Sequence, residues 1–270
     1  MNKMFSIFLF ALIILSSCKK DKPIEEIEIE NGKIKINFLH TINNQPIQLN
    51  TNIYINEAGN HYEISDLMYF ISDLTLYPHN GNSILIDDWK AIHYIDIHIP
   101  TTLIWEVYDK IPTGLIDSIS FIFGLNESRN QPFIFVNPPE SNMFWPQILG
   151  GGYHYMMING KWINQNDTVY PFNFHIGIGQ NYTDTINFNT STITGFVQNY
   201  FKVTLPTSNF TISKNVTTNI TLNMAVESWF KTPHIWDFNY WGGDVMQKQR
   251  ALQTIKENGA DVFSVVSISK

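Results

Sequence analysis

The segment Phe172-Asn173-Phe174-His175-Ile176-Gly177-Ile178 indicates the fold of this chain more clearly than any other stretch. Its large apolar side chains occupy the even positions, and polar or small residues occupy the odd ones. A period of two residues is typical of a β-strand that buries one face. We therefore predict a strand here, with His175 on the face opposite the core.

The same alternation recurs along the chain and predicts further strands. Turn signals at residues 57–60, 79–82 and 206–209 separate such runs, as expected for short strands joined by tight connections. The alternating sets are Ile34, Ile36 and Phe38; Ile119, Phe121 and Phe123; Phe201, Val203 and Leu205; and Ile220, Leu222, Met224 and Val226.

One helix is predicted, over residues 244–258. Asp244 is placed to cap its first turn, and Gly259 is placed to end it. Many short strands with few helical segments favour antiparallel sheets packed face to face over a parallel α/β sheet. The predicted fold class is therefore all-β, an antiparallel β-sandwich with one short C-terminal helix.

The composition agrees with a β-rich domain and argues against some partners. Aromatic residues make up 14% of the chain and charged residues only 15%, so much aromatic surface must be buried. The formal net charge of -7 disfavours nucleic acid, which is itself strongly negative. We predict no nucleic-acid partner.

The first eighteen residues predict a bacterial lipoprotein signal. Lys3 precedes an apolar run over residues 5–15, which is too short to span a bilayer, and Ser16 and Ser17 lead into Cys18. Residues 1–17 are then removed, Cys18 is lipidated, residues 18–32 form a flexible tether, and residues 33–270 form one domain. This predicts an outer-membrane lipoprotein that faces the periplasm or the cell surface and is held by its N-terminal lipid.

Common catalytic motifs are absent from the sequence. It has no Gly-x-Ser-x-Gly elbow, no His-Glu-x-x-His and no phosphate-binding P-loop, and its single cysteine is the predicted lipidation site. We therefore predict a protein that is not an enzyme.

Three histidines are candidate metal ligands. His154 and His175 lie in glycine-marked aromatic segments, and the small residues near His175, Gly177 and Gly179, would leave room for a ligand or metal. His40 continues the apolar stripe of the first strand and should point toward the core. Imidazole suits copper and zinc, and thioether sulfur suits copper(I), so nearby methionines could contribute. These are Met143, Met156, Met157 and Met246.

The alternative interpretation is structural. Each histidine would make one backbone hydrogen bond, and each methionine would fill a gap in the core. The tryptophans pose a similar choice between a sugar-binding platform and core packing. The tryptophans concerned are Trp145, Trp162, Trp229, Trp236 and Trp241.

Seven segments in this order resemble the copper-binding MbnP-like family, named for proteins encoded with the copper chelator methanobactin. No single segment is specific, but their order is, and it spans most of the chain after the signal. The segments are residues 36–40 with 46–49, 64–74, 94–96, 119–124, 142–146 leading into 150–154, 174–177 and 257–265.

This resemblance implies an exported β-sandwich protein that binds copper. It also implies that a tryptophan is oxidised to kynurenine by a partner dihaem peroxidase-like enzyme and joins histidine nitrogens around the metal. On this chain the implied ligands are His40, His154 and His175, with Trp145 the tryptophan nearest to them. One relative carries its modified tryptophan in a Trp-x-His sequence, which does not occur here.

The predicted function is copper binding for acquisition, storage or handover. The alternative is a carbohydrate-binding or adhesion surface lipoprotein, which the lipid signal and the aromatic content also suit.

Overall fold

The computed structural model describes residues 30–87, 91–184, 189–205 and 208–270. The predicted signal, Cys18 and most of the predicted tether lie outside these ranges. The strands are β1 (Asn31–Ile42), β2 (Gln45–Pro46), β3 (Tyr54–Ile55), β4 (His61–Pro78), β5 (Ile84–Leu85), β6 (Ile92–Asp96), β7 (Ile104–Pro112), β8 (Gly114–Phe123), β9 (Met156–Ile163), β10 (Val169–Ile176), β11 (Gly179–Tyr182), β12 (Ile193–Val197), β13 (Phe201–Leu205), β14 (Phe210–Ile212), β15 (Thr217–Ala225) and β16 (Phe263–Ser269).

The helices are short. The α-helices are α1 (Phe238–Trp241) and α2 (Gln249–Asn258), and the 3-10 turns are Pro100–Leu103, Glu140–Met143, Gln147–Leu149, Thr190–Thr192, Val226–Phe230 and Gly259–Asp261.

The strands form two principal sheets. The first has the order β16-β15-β1-β2, and β7 also pairs with β1. The second has the order β10-β9-β4-β8-β13, with β14 on β8 and with β3, β5 and β6 on β4. Strands β11 and β12 pair separately. The 18-residue strand β4 thus organises the second sheet, because it pairs along its length with β9, β8 and β6.

The two sheets pack face to face through aromatic side chains. Phe263 of the first sheet contacts Tyr69, Phe121 and Phe123 of the second, with ring centroids 6.0, 5.1 and 5.7 Å apart. Such contacts are typical of a sandwich core. The predicted all-β sandwich is confirmed.

The predicted alternation places the core side chains correctly. All members of the five alternating sets are buried except Phe201, which is half-buried. Strand β1 begins at Asn31 and therefore includes the last two residues of the predicted tether. One pairing departs from the antiparallel pattern: residues 33–41 of β1 run parallel to residues 217–225 of β15. This is possible because a long stretch of chain separates the two strands.

The C-terminal helix is confirmed, but its predicted start was wrong. Helix α2 begins at Gln249, not near Asp244. The backbone before it is held by the edge strand β10: Asn173 donates to the carbonyl of Gly243 at 2.6 Å and forms a β-bridge with Asp244. Asp244 therefore extends the sheet edge and cannot cap a helix, and no side chain caps the first turn of α2.

Within the described residues, no helix is both long enough and apolar enough to cross a membrane.

Candidate metal site

A glycine turn brings Trp145 and His154 side by side. The backbone N–H of Trp145 donates to the carbonyl of Gly152 at 2.8 Å, and that of His154 donates to the carbonyl of Met143 at 2.6 Å. Residues 150–152 close this hairpin with φ angles of 119°, 70° and 78°, a run of conformations that only glycine adopts without strain. The Trp145 and His154 rings meet edge to face, with centroids 4.7 Å apart.

This hairpin covers the outer face of β10 at His175. The rings of His154 and His175 lie 5.0 Å apart between centroids, with their planes at 89°. Immediately beside them, Tyr155 donates its backbone N–H to the carbonyl of Ile176 at 2.7 Å. His175 therefore projects away from the sandwich core, as predicted, yet it is only 7% exposed because the hairpin lies over it.

The space at Gly177 has a different use from the predicted one. A Cβ atom there would lie 2.6 Å from Cε3 of Trp145, so the absent side chain makes room for the indole. At Gly179 a Cβ would collide with the Gln249 side chain. The prediction that these glycines leave open space beside His175 was therefore wrong, since side chains already fill it.

The hydrogen bonds of His154 fix which ring nitrogen carries the proton. Its Nδ1 lies 2.9 Å from the carbonyl oxygen of Met143. A carbonyl oxygen can only accept, so Nδ1 must donate and Nε2 must carry a lone pair. That Nε2 atom is buried and has no hydrogen-bond partner in the described part of the chain.

The tautomer of His175 is fixed by a chain of two side chains. Its Nε2 lies 2.6 Å from Oδ1 of Asn159, and Nδ2 of Asn159 donates to the Asp66 carboxylate at 3.4 Å. Because the carboxylate accepts from the amide nitrogen, the amide oxygen must face His175. Nε2 of His175 therefore donates and Nδ1 carries a lone pair. Nδ1 is likewise buried and unpartnered among the described residues.

Burial keeps both imidazoles neutral. It lowers the pKa of His154 to about 4, against the opposing effect of the backbone carbonyls of Met143 and Phe144. The pKa of His175 is lowered to about 3, first by burial and then by repulsion from a charged His154. Near neutral pH the site therefore presents two neutral nitrogen donors, the form in which histidine binds metals.

His40 lies elsewhere. As predicted, it points into the core, where its Nε2 lies 3.1 Å from the hydroxyl of Tyr69 on the facing sheet. In the described residues its only ring contact is with Tyr69, and it has none with His154 or His175. The structure therefore brings together three of the four predicted site residues, namely Trp145, His154 and His175.

The predicted methionines also differ in position, since some lie beside the histidine pair and others lie in the sandwich core. Met143 is fully buried and supplies the carbonyl that orients His154. Met157 lies directly opposite His175 in the β9–β10 pairing and is half-buried. Met156 is fully buried on the other face of β9, in the sandwich core. No cluster of three or more His, Cys, Asp or Glu side chains suited to a metal occurs within the described ranges.

Most of the tryptophans weighed as a sugar platform lie in the core. Trp145, Trp229 and Trp236 are 0% exposed and Trp162 is 6% exposed, so none offers a ring face to a sugar in solution. Trp241 is half-buried and stacks on Trp236. The structural interpretation of these residues is therefore favoured.

Sequence reasoning missed Asn159 and Asp66, which orient His175. Asn159 alternates with the apolar residues of β9, and residue 66 lies in one of the segments that resemble the family. Only the pairing of β9 with β10 and β4, however, brings these two residues to His175. Asp66 also accepts from the Ser65 hydroxyl at 2.8 Å and pairs with His98 at 3.2 Å.

Comparison with known proteins identifies the family. The MbnP family model matches residues 31–247, which includes both histidines of the site. MbnP from Methylosinus trichosporium is a similar solved structure, with 12% sequence identity, a TM-score of 0.48, and coverage of 77% of this chain and 80% of that one. No curated protein matches the sequence. Because the family model covers well over half of the chain, the protein belongs to the MbnP family.

Proposed function

We propose that this protein binds one copper ion between Nε2 of His154 and Nδ1 of His175. One observation carries the proposal: two buried imidazole nitrogens, each with a lone pair fixed by the hydrogen bond of its other nitrogen, lie in adjacent rings and have no partner among the described residues. Membership of the MbnP family supports a copper-related role.

The energetics favour an occupant. Leaving a buried polar atom without a hydrogen bond destabilises a protein by about 1–3 kcal/mol, and here two such atoms share one place. Metal-binding histidines typically donate their second N–H to a carboxylate, a carbonyl oxygen or water, which orients the ring and strengthens it as a ligand. His154 and His175 have this arrangement with Met143 and Asn159.

We choose copper rather than zinc for three reasons. Imidazole binds both, but copper(II) generally binds such sites more tightly than zinc, and methionine sulfur lies close in sequence and register. The family's association with copper points the same way. A buried site with two neutral imidazoles suits capture, storage or handover of the ion, and we propose no catalytic activity.

Metal titration of the purified full-length protein tests this function. We expect about one copper per chain in the wild type, and a loss of more than about 100-fold in affinity for both His154→Ala and His175→Ala. Losing an orienting partner alone typically costs about 10–100-fold, so losing a ligand should cost more. The control is His79→Ala, because the His79 side chain is 61% exposed and pairs with Asp117 at the surface. Copper binding that survives both site substitutions would refute the proposal.

Oxidation of Trp145 is a separate proposal. The indole lies against His154 and is fully buried, so an oxidised ring would remain beside the copper. The family resemblance implies a dihaem peroxidase-like enzyme as the oxidant. Intact mass and peptide mapping of protein purified from its native host test this: we expect a modification at Trp145, and an unmodified Trp145 in copper-loaded protein contradicts it.

Attachment through a lipid on Cys18 completes the proposed setting. We propose an outer-membrane lipoprotein that presents the copper site to the periplasm or the cell surface. Metabolic labelling with a radioactive fatty acid should mark the wild type and not Cys18→Ala. Equal labelling of the two proteins would exclude this anchor.

A further inference from the structure

A row of sulfur-bearing side chains crosses the second sheet and ends at the histidine pair. His175 of β10 lies directly opposite Met157 of β9, and Met157 lies directly opposite Met68 of β4. Directly opposed residues in antiparallel strands share one face, with Cβ atoms about 4.5–5.5 Å apart. His175, Met157 and Met68 therefore form a continuous row on the outer face of the sheet.

This row is distinct from the sandwich core. On β9 the core-facing residues are Met156 and Ile158, both 0% exposed, whereas Met157 between them faces outward and is half-buried. On β4, Leu67 and Tyr69 face the core, and Met68 between them is half-buried. Two thioethers therefore lie on the face that carries the unpartnered nitrogen of His175.

The histidine pair needs further donors. Two imidazoles leave a metal with few ligands, and the described residues supply no third His, Cys, Asp or Glu to form a larger cluster. Met157 is the side chain that strand register places next to His175, and thioether sulfur favours copper(I). A neutral set of two imidazoles and a thioether also suits a singly charged ion better than a doubly charged one.

We propose that Met157 is a third ligand of the copper ion at this site, with Met68 providing a second sulfur beside it. This inference rests on the proposed copper function of His154 and His175 and adds a thioether donor to the two imidazoles. Thioether sulfur carries no charge and no bound proton, and it favours copper(I) over copper(II) and zinc.

Parallel titrations of the full-length protein with copper(I) and copper(II) test the thioether ligand, because thioether sulfur favours copper(I). Copper(I) affinity is measured without oxygen by competition with a chromophoric copper(I) chelator, and copper(II) affinity is measured in air. For Met157→Leu we expect copper(I) affinity to fall by about tenfold or more, and copper(II) affinity to stay within about twofold of the wild type. The matched control is Met156→Leu, a similar exchange on the core face of the same strand that should change neither affinity.

X-ray absorption of the copper(I)-loaded protein gives a direct second readout. We expect a sulfur neighbour of copper in the wild type that is lost in the Met157→Leu and Met68→Leu double variant. Should that variant fail to fold, wild-type protein labelled with selenomethionine should show copper–selenium scattering instead. Absence of both sulfur and selenium neighbours overturns the inference.

The outcomes separate this inference from the function on which it rests. If His154→Ala and His175→Ala bind copper as the wild type does, the proposed function fails and the thioether proposal fails with it. If those variants lose copper while Met157→Leu keeps wild-type copper(I) affinity, the histidine site stands and the methionine ligand alone is refuted.

Discussion

His40 and the pair formed by His154 and His175 are almost equally buried, yet they differ in their chemistry. The exposed fractions of the three residues are 7%, 6% and 7%, and burial lowers the pKa of each to about 3 or 4. Each of the three rings makes one side-chain hydrogen bond, but of the three only His154 and His175 have a second nitrogen that is buried and without a partner in the described structure. A ring nitrogen that is both buried and unpartnered, rather than the burial or pKa of the whole residue, distinguishes a candidate ligand from a core residue.

The largest expected difference is in copper binding itself. We expect His175→Ala to lose copper, and His40→Gln to keep wild-type stoichiometry and affinity, since glutamine can still hydrogen-bond the Tyr69 hydroxyl. Equilibrium dialysis with metal analysis measures both variants. Loss of copper in a folded His40→Gln protein would break the comparison and restore His40 as a ligand, as the family resemblance implies.

The second difference concerns pH and the stability of the metal-free protein. The pKa of His40 is about 4 when folded and near 6.5 in the unfolded chain, so the unfolded state binds more protons between these values. The stabilising contribution of His40 is therefore fully present above about pH 6.5 and is lost toward pH 4. This loss lowers the free energy of unfolding by about 3 kcal/mol. Urea unfolding at pH 7 and pH 4.5 should show a smaller loss in His40→Gln than in the wild type. An equal loss in both proteins would contradict this origin.

A third difference lies in the residues that orient the rings. Asn159→Ala removes the acceptor that keeps the proton on Nε2 of His175, so copper affinity should fall by about 10–100-fold. The control is Asn173→Ala, since Asn173 lies opposite Asn159 but has an exposed side chain. Competition titration measures the copper affinity of both variants. Identical copper affinities would refute the orienting role of Asn159.

The smallest effect is expected at His40, the histidine outside the proposed copper site. Tyr69→Phe deletes the hydroxyl that meets His40 and should reduce the free energy of unfolding by about 1 kcal/mol, with copper affinity unchanged. Tyr170→Phe, at a residue that is 46% exposed, provides the reference for a surface hydroxyl. A change in copper affinity for Tyr69→Phe would show that the two histidine environments are coupled.

The predictable part of the fold came from local pattern. Alternation along residues 172–178 gave the strand, its core-facing side and the outward direction of His175. The start of the last helix was less predictable, because Asp244 is a good N-cap by type but is held by β10 across the sheet edge. Long-range pairing overrode local preference there.

The candidate site was predictable only in its residue types. His154 and His175 were identified from glycine-marked segments and Trp145 from the family resemblance, but the glycine at 177 accommodates an indole instead of a ligand. Asn159, Asp66 and Met68 gave no signal in isolation. Their roles depend on the register of β9, β10 and β4, and a shift of one residue would turn each side chain to the opposite face.

The sequence by itself determined five of the strands, the face on which the side chains of those strands lie, and the ordered segments that resemble the MbnP family. The reason is that a strand repeats every two residues, so facing is a local property of the chain. Only the tertiary structure decided that His154 and His175 meet while His40 stays with Tyr69. Which strands are neighbours, and which hairpin covers them, depends on contacts between distant residues that no local pattern contains.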